Sequence, residues 1–194
     1  MSKYKKEIKA WILRVLKRYT QQKVFEKLKN GNVILAPGLL IDDYFNIELP
    51  AETYSLNIGS DVIFRKFCSI AIHQHGSLII GNKVFFNNYC SVSCLGEIKI
   101  GENTLLGEGV KLYDHNHEYH YQNNNLTIER EKFKKGFIKI GKNCWIGSNV
   151  TILNNVEIGD NVIIGANTLV YKSIPPSVIV RSQADLLITA LNEK

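Results

Sequence analysis

The residues best suited to chemistry sit in one run, Tyr113, Asp114, His115, Asn116, His117, Glu118, Tyr119 and His120. Imidazole titrates near neutrality, so it can take a proton from a hydroxyl or an amine in a transition state. His115 and His117 are therefore candidate general bases. Asp114 either orients one of these imidazoles or serves only as an Asx-type turn residue where the run begins. Clustered histidines also invite a zinc reading, to which His73, His75, His115, His117 and His120 could contribute.

Whatever holds this run in place repeats every six residues. From Ile140 the chain reads IGKNCW, IGSNVT, ILNNVE, IGDNVI, IGANTL and then VY. Neither a helix nor a simple strand has that period, whereas stacked solenoids of the hexapeptide β-helix kind do. The first and fifth residues of each block should point inward, which would stack Ile140, Ile146, Ile152, Ile158 and Ile164 with Cys144, Val150, Val156, Val162 and Thr168. Asparagine stands fourth (Asn143, Asn149, Asn155, Asn161, Asn167), and it tolerates the left-handed backbone of a corner better than most residues. Three faces and three corners give a triangular coil of eighteen residues. Coils pair at about 4.7–4.9 Å.

Five coils are legible, opening at Ile58, Ile80, Ile100, Ile140 and Ile158. Between starts, the excess over eighteen residues is four near His75, two near Gly96 and twenty-two between Leu112 and Ile140. Each excess follows a third face, so every insertion leaves the same corner. Long loops in compact domains are usually functional. The longest one, 113–137, carries the histidines and is the expected site. Residues 32–57 read as an irregular first coil that caps the prism, because solenoid ends need atypical units. IPPSV (174–178) reads as the turn that ends it, and 184–191 as a short closing helix.

Before the prism, residues 3–29 should form an amphipathic helix. Ile8, Trp11, Ile12, Val15, Leu16 and Tyr19 line one side, and Lys5, Lys6, Lys9, Arg14, Lys17 and Arg18 the other. Such a helix can dock on the solenoid or on a neighbouring subunit, or it can rest on an anionic membrane surface. The expected organisation is thus an N-terminal helix over 1–31, a β-helix over 32–180 and a C-terminal helix or tail over 181–194.

Composition limits the rest. A chain of 194 residues can bury a core, and its net charge of +6 suits phosphorylated or anionic ligands. No Lys/Arg–aromatic interleaving suggests nucleic acid, and no apolar run approaches the ~20 residues of a membrane span. Cys68, Cys90 and Cys144 fall at the small inward fifth place, with Cys94 unassigned. They read as reduced packing residues of a cytoplasmic protein rather than a disulfide framework.

The hexads resemble those of the hexapeptide-repeat acyltransferases, and the resemblance covers residues 58–180. It implies an all-β solenoid wound left-handed, a homotrimer with sites between subunits, and acetyl-CoA as acyl donor without a metal. In the galactoside and maltose acetyltransferase branch the catalytic histidine stands five places after a repeat opener. Counting from Leu112 gives His117, although Glu118 replaces the usual proline. The DHNH form itself is similar to O-acetyltransferases of surface polysaccharides. FFNNYCS resembles the motif that supplies an acceptor-contacting asparagine, here Asn87, and Trp145 matches an aromatic wall of the site. Ser148, Ala166 and Lys172 match coenzyme A contacts. The usual Gly-x-Pro-Ala continuation is missing after Pro176, leaving Arg181 as a substitute contact.

The resemblance therefore implies O-acetylation of a sugar hydroxyl, on a cell-envelope polysaccharide or its lipid-linked precursor. N-acetylation of a nucleotide-linked amino sugar is the alternative; a free sugar, an antibiotic hydroxyl or serine are further acceptors. From other classes come a non-catalytic trimeric scaffold and a zinc enzyme of the γ-carbonic anhydrase type. The zinc reading requires histidines on coils two apart, about 10 Å along the prism, to fold onto each other.

Overall fold

The computed structural model describes residues 5, 7, 8, 11, 12, 22–29 and 31–182. The chain winds into a parallel β-helix of the left-handed hexapeptide type. The first coil comprises β1 (Val33–Leu35), β2 (Leu40–Ile41) and β3 (Asn46–Glu48). The second holds β4 (Ser55–Ile58), β5 (Ile63–Phe64) and β6 (Ser69–Ile72), and the third β7 (Ser77–Ile80), β8 (Phe85–Phe86) and β9 (Ser91–Cys94). The fourth has β10 (Glu97–Ile100), β11 (Leu105–Leu106) and β12 (Lys111–Tyr113), after which a hairpin of β13 (His115–Gln122) and β14 (Asn125–Lys135) leaves the prism. The fifth coil is β15 (Phe137–Ile140), β16 (Trp145–Ile146) and β17 (Thr151–Ile152). The sixth is β18 (Val156–Ile158), β19 (Ile163–Ile164) and β20 (Leu169–Val170), and β21 (Ile179–Val180) closes the series. Equivalent strands pair in parallel into three faces, of six, seven and six strands.

Register follows the hexads. Ile100 pairs with Ile80 and Ile140 on the first face, Leu106 with Phe86 and Ile146 on the second, and Leu112 with Val92 and Ile152 on the third. These residues, and the fifth-place Cys68, Val84, Cys90, Val110, Cys144, Val150, Val156 and Val162, fill the axis of the prism. The corner asparagines sit in the left-handed region, with φ between 54° and 61° at Asn143, Asn149, Asn155, Asn161 and Asn167. All four thiols are free and buried, and Cys94, which had no assigned place, donates to the Ser77 carbonyl at 3.3 Å.

Two boundary expectations are corrected. The stretch from 32 to 57 opens with a regular coil: Leu35, Ile41 and Ile47 register on Ile58, Phe64 and Ile70. Its hexads were hidden because Ala36 and Asp42 stand where glycine is usual, and Tyr44 takes the corner at φ 62°. Nor does IPPSV end the prism. Ser177 turns a further corner at φ 61°, and β21 extends the second face by pairing with β19.

Residues 22–28 are helical. Leu28 is buried, Val24 packs against the core cluster, and the Lys27 ammonium donates to the Ile47 carbonyl at 2.7 Å, docking this segment on the first coil. Lys5, Glu7, Ile8, Trp11 and Ile12 are also helical, and the three apolar ones are exposed. The expected helix over 184–191 lies outside the described residues. Among the described residues no helix is long and apolar enough to cross a membrane.

Candidate active site

All the excess length leaves the corner between the third face and the next first face, which we term the third corner. The long insertion there is a hairpin. Asn123 and Asn124 turn it with φ of 50° and 57°, the pair of left-handed residues that a two-residue turn matching strand twist requires. A register shift between His117 and Glu118 kinks it next to the prism. The stem is pinned on several sides. Gly136 donates its N–H to the Asp114 carbonyl at 2.7 Å, Lys135 reaches the Gln74 carbonyl at 3.2 Å, and Asn116 donates to Asn154 at 3.1 Å.

Asp114 anchors the site. Its side chain is 0% exposed, and its carboxylate accepts from the Leu95 N–H at 2.9 Å and the Gly96 N–H at 2.8 Å on the coil above. A third contact, at 3.1 Å, is with Nδ1 of His115. Asp114 thus orients an imidazole and braces the coil above, and among the described residues its side chain makes no Asx-type bond to the N–H two residues on. Gly96 is required for this close approach, because a Cβ there would collide with the Gly136 carbonyl.

With Nδ1 donating to a buried carboxylate, His115 presents Nε2 as a free lone pair, the tautomer that a general base needs. Its ring stands edge-on to Phe133, with centroids 5.4 Å apart and planes at 84°. The next imidazole on the same face of the strand is held differently. Nδ1 of His117 lies 3.2 Å from the Glu129 carbonyl, and its ring leans on Phe133 at 4.5 Å. Among the described residues no carboxylate partners it. Counting from the repeat opener thus leads to the imidazole with the weaker support, two residues past the one that Asp114 orients.

His73 approaches from the second coil, its ring centroid 6.4 Å from that of His115. Partial burial, then the neighbouring His115, holds its pKa below the usual imidazole value. The hairpin stem has folded toward the upper corner, so the two rings are closer than the ~10 Å that coil spacing alone suggests. Among the described residues no three of His, Cys, Asp or Glu converge as a metal site. Burial also pushes up the Cys144 thiol and raises Cys94 to about 12, while a hydrogen bond donated to Cys68 raises Cys90 and lowers Cys68. None of the three raised thiols is primed as a nucleophile.

The other expected site residues lie elsewhere in the chain. Asn87, Ser148, Ala166 and Arg181 all follow strands of the second face, and Trp145 stands on that face, 55% exposed. They line the second face and the corner after it, which we term the second corner. Lys172 follows β20 and belongs to the third corner with the histidines; its ammonium lies 5.5 Å from the Tyr171 ring centroid. The Asn87 side chain caps the N–H of Asn88 at 2.8 Å, as a turn residue does. One protomer therefore carries two lines of expected site residues on two different corners.

Sequence reasoning passed over Phe133, which wedges between the two imidazoles, and the backbone donors of Leu95 and Gly96. It also passed over three aromatic corner residues, Tyr44, Phe67 and Tyr89. The aromatic corners did carry a signal, since each stands at the fourth place of a hexad where asparagine is usual.

The repeats are those of a described type: residues 137–172 match the family model for the bacterial transferase hexapeptide (six repeats). No curated protein matches the chain. Among solved structures the fold is similar to AntD, an N-acyltransferase from Bacillus cereus in complex with dTDP and 3-hydroxybutyryl-CoA. That similarity has a TM-score of 0.66 at 21% identity, over 84% of this chain and 83% of that one. A point variant of AntD in complex with dTDP-4-amino-4,6-dideoxyglucose and coenzyme A gives 0.65 at 22%, over 84% of each. The polysialic acid O-acetyltransferase OatWY gives 0.50 at 19%, over 81% of this chain and 95% of that one. At these identities the likeness is one of fold.

Proposed function

We propose that the chain is an acyltransferase that moves an acetyl group from acetyl-CoA to a sugar hydroxyl of a cell-surface polysaccharide or its lipid-linked precursor. The observation that carries this reading is the Asp114–His115 pair, a buried carboxylate 3.1 Å from Nδ1 of a largely buried imidazole. In this reading Nε2 of His115 takes the hydroxyl proton as the oxygen attacks the thioester carbonyl. The tetrahedral intermediate then collapses, the C–S bond breaks, and the imidazolium returns its proton to the departing thiolate. No acyl-enzyme is needed, in keeping with thiols that are buried in the prism. His115, not His117, is the base; His117 and Phe133 shape the wall of the site.

Asn87, Trp145, Ser148, Ala166 and Arg181 take part through a neighbouring copy of the chain. The outer positions of the second face support such an assembly: Leu40, Ile63, Phe85, Leu105, Trp145, Ile163 and Ile179 stack through every coil. Five of the seven are exposed large apolar residues, a surface that monomers rarely present. A homotrimer packed through it brings the second corner of one copy toward the third corner of the next. There the acceptor meets Asn87, and coenzyme A lies along Ser148, Ala166 and Arg181, with Lys172 near its phosphates. The N-terminal segment, with Ile8, Trp11 and Ile12 exposed, rests on the inner membrane surface where lipid-linked acceptors lie.

The deciding experiment is free-thiol release from acetyl-CoA against a panel of sugar and amino-sugar acceptors. His115→Ala should lower kcat by ~10²–10⁴-fold, the range for a lost general base, and His117→Ala by only a few fold. If His117→Ala shows the larger loss, the base assignment is wrong. A wild-type protein that binds no coenzyme A would favour the scaffold reading.

A further inference from the structure

The second corner is built as a ladder, one residue per coil: Tyr44, Phe67, Tyr89, Gly109, Asn149 and Asn167. The first three rings stack almost parallel, with centroids 4.7 and 5.0 Å apart and planes within 2°. The last two rungs join by an amide hydrogen bond of 3.2 Å from Asn149 to Asn167. All are in the left-handed region, Gly109 included at φ 70°. Only the fourth rung has no side chain.

That gap has defined walls. Above it, Tyr89 has Phe67 on one face and, among the described residues, no ring on the other, and it is 54% exposed. Below it, Asn149 turns its carbonyl oxygen toward the place a Gly109 side chain would take. This oxygen accepts no hydrogen bond among the described residues, although its amide donates to the next rung. Beside the gap, the Lys111 ammonium lies 3.1 Å from the Gly109 carbonyl. Two coil spacings separate the Tyr89 and Asn149 rungs, about 9.6 Å, so a flat ring midway stacks on Tyr89 and lies level with Asn149 Oδ1, which leans into the fourth rung.

We infer that this empty rung is a binding notch for a nucleobase, which completes the ladder by stacking on Tyr89 and donating an N–H to Asn149 Oδ1, with Lys111 placed for the attached phosphate. A ring that is flat, carries an N–H donor and bears a phosphate meets all three walls. The inference rests on the acyltransferase reading for the source of the base, which is either a nucleotide-linked sugar acceptor or the adenosine of coenzyme A.

Equilibrium titration of the full chain with dTDP, UDP and coenzyme A, without turnover, tests it. Tyr89→Leu removes the stacking face. Gly109→Asn fills the rung with the residue that the next two rungs already accommodate, once the Asn149 amide swings aside. A lost base–aromatic stack should weaken binding about tenfold or more, and both variants should show it. Weakening confined to dTDP or UDP assigns the notch to the acceptor nucleotide; weakening confined to coenzyme A assigns it to the donor. Unchanged affinity for all three ligands in both variants overturns the notch. So does a change of assembly state with affinities intact, which makes the ladder an interface element. Absence of coenzyme A binding in the wild type would instead sink the acyltransferase reading, leaving the nucleotide titrations to judge the notch alone.

Discussion

At the scale of single residues, Asp114 is the most constrained group of the site. It is fully buried, ionisable and shared by two backbone donors and an imidazole. Replacing it by Ala leaves the Leu95 and Gly96 N–H groups unpaired, at about 1–3 kcal/mol each, so both stability and activity should fall. Asp114→Asn separates the two roles. The separation is partial, because Oδ1 serves both the Leu95 N–H and Nδ1 of His115: an amide N–H₂ there favours the tautomer with the proton on Nε2 and also opposes the Leu95 N–H, so kcat should fall with KM nearly unchanged while stability falls less than in the Ala variant. A KM rise with kcat preserved would show Asp114 to be only a structural brace. His73 gives a pH signature. Its pKa is lowered in the folded chain by partial burial and by His115, which Lys135 reinforces and Asp114 and Glu48 oppose. Below the ordinary imidazole value the unfolded chain therefore binds a proton that the folded chain resists, and stability falls as pH falls toward the depressed value. The ring keeps a solvent-facing edge, so the effect is modest. Urea midpoints measured between pH 7.5 and 5 should fall less steeply for His73→Asn than for wild type.

At the scale of elements, the hairpin is an excursion rather than part of the coil. Residues 111–112 and 151–152 pair across it as though it were absent. Replacing 116–134 by a short glycine turn should leave the parallel β-helix and its far-ultraviolet circular dichroism intact while abolishing acyl transfer; collapse of the spectrum would show the hairpin to be structural. This division also explains what was legible in the sequence. The hexads from Ile58 onward announce themselves, because axial packing admits only apolar and small residues at places one and five. The first coil did not, since Ala36 and Asp42 replace the usual second-place glycine and Gly38 and Tyr44 replace the usual corner asparagine. The hairpin was legible as an insertion but not as paired strands, because its alternation of polar and apolar residues is weak. The preference proposed for His115 over His117 rests on a tertiary contact that the sequence does not display. Asp114 turns inward to the coil above, and only the imidazole joined to it at the stem can reach the carboxylate.

At the scale of the whole molecule, the second face is the contact of the proposed trimer. A stripe of apolar side chains running through all six coils calls for a cover, and a charge at its centre should be poorly tolerated there. Trp145→Glu should shift sedimentation from trimer to monomer and lower turnover together, with the circular dichroism of the coil unchanged because residue 145 points outward. A variant that stays assembled would show that another face makes the contact.

The hairpin's attachment has a consequence for how such a chain can change. It lengthens the separation between paired positions of the fourth and fifth coils to 40 residues, as between Thr104 and Cys144. Relative to a plain coil of eighteen, the added loop-closure entropy grows only with the logarithm of length and comes to about 0.7 kcal/mol. The closing contacts all lie at the stem, where Gly136 meets Asp114. The tip at Asn123–Asn124 is therefore the place where new chain termini could be opened, or a whole further domain spliced in, while the imidazole at the base stays where it is.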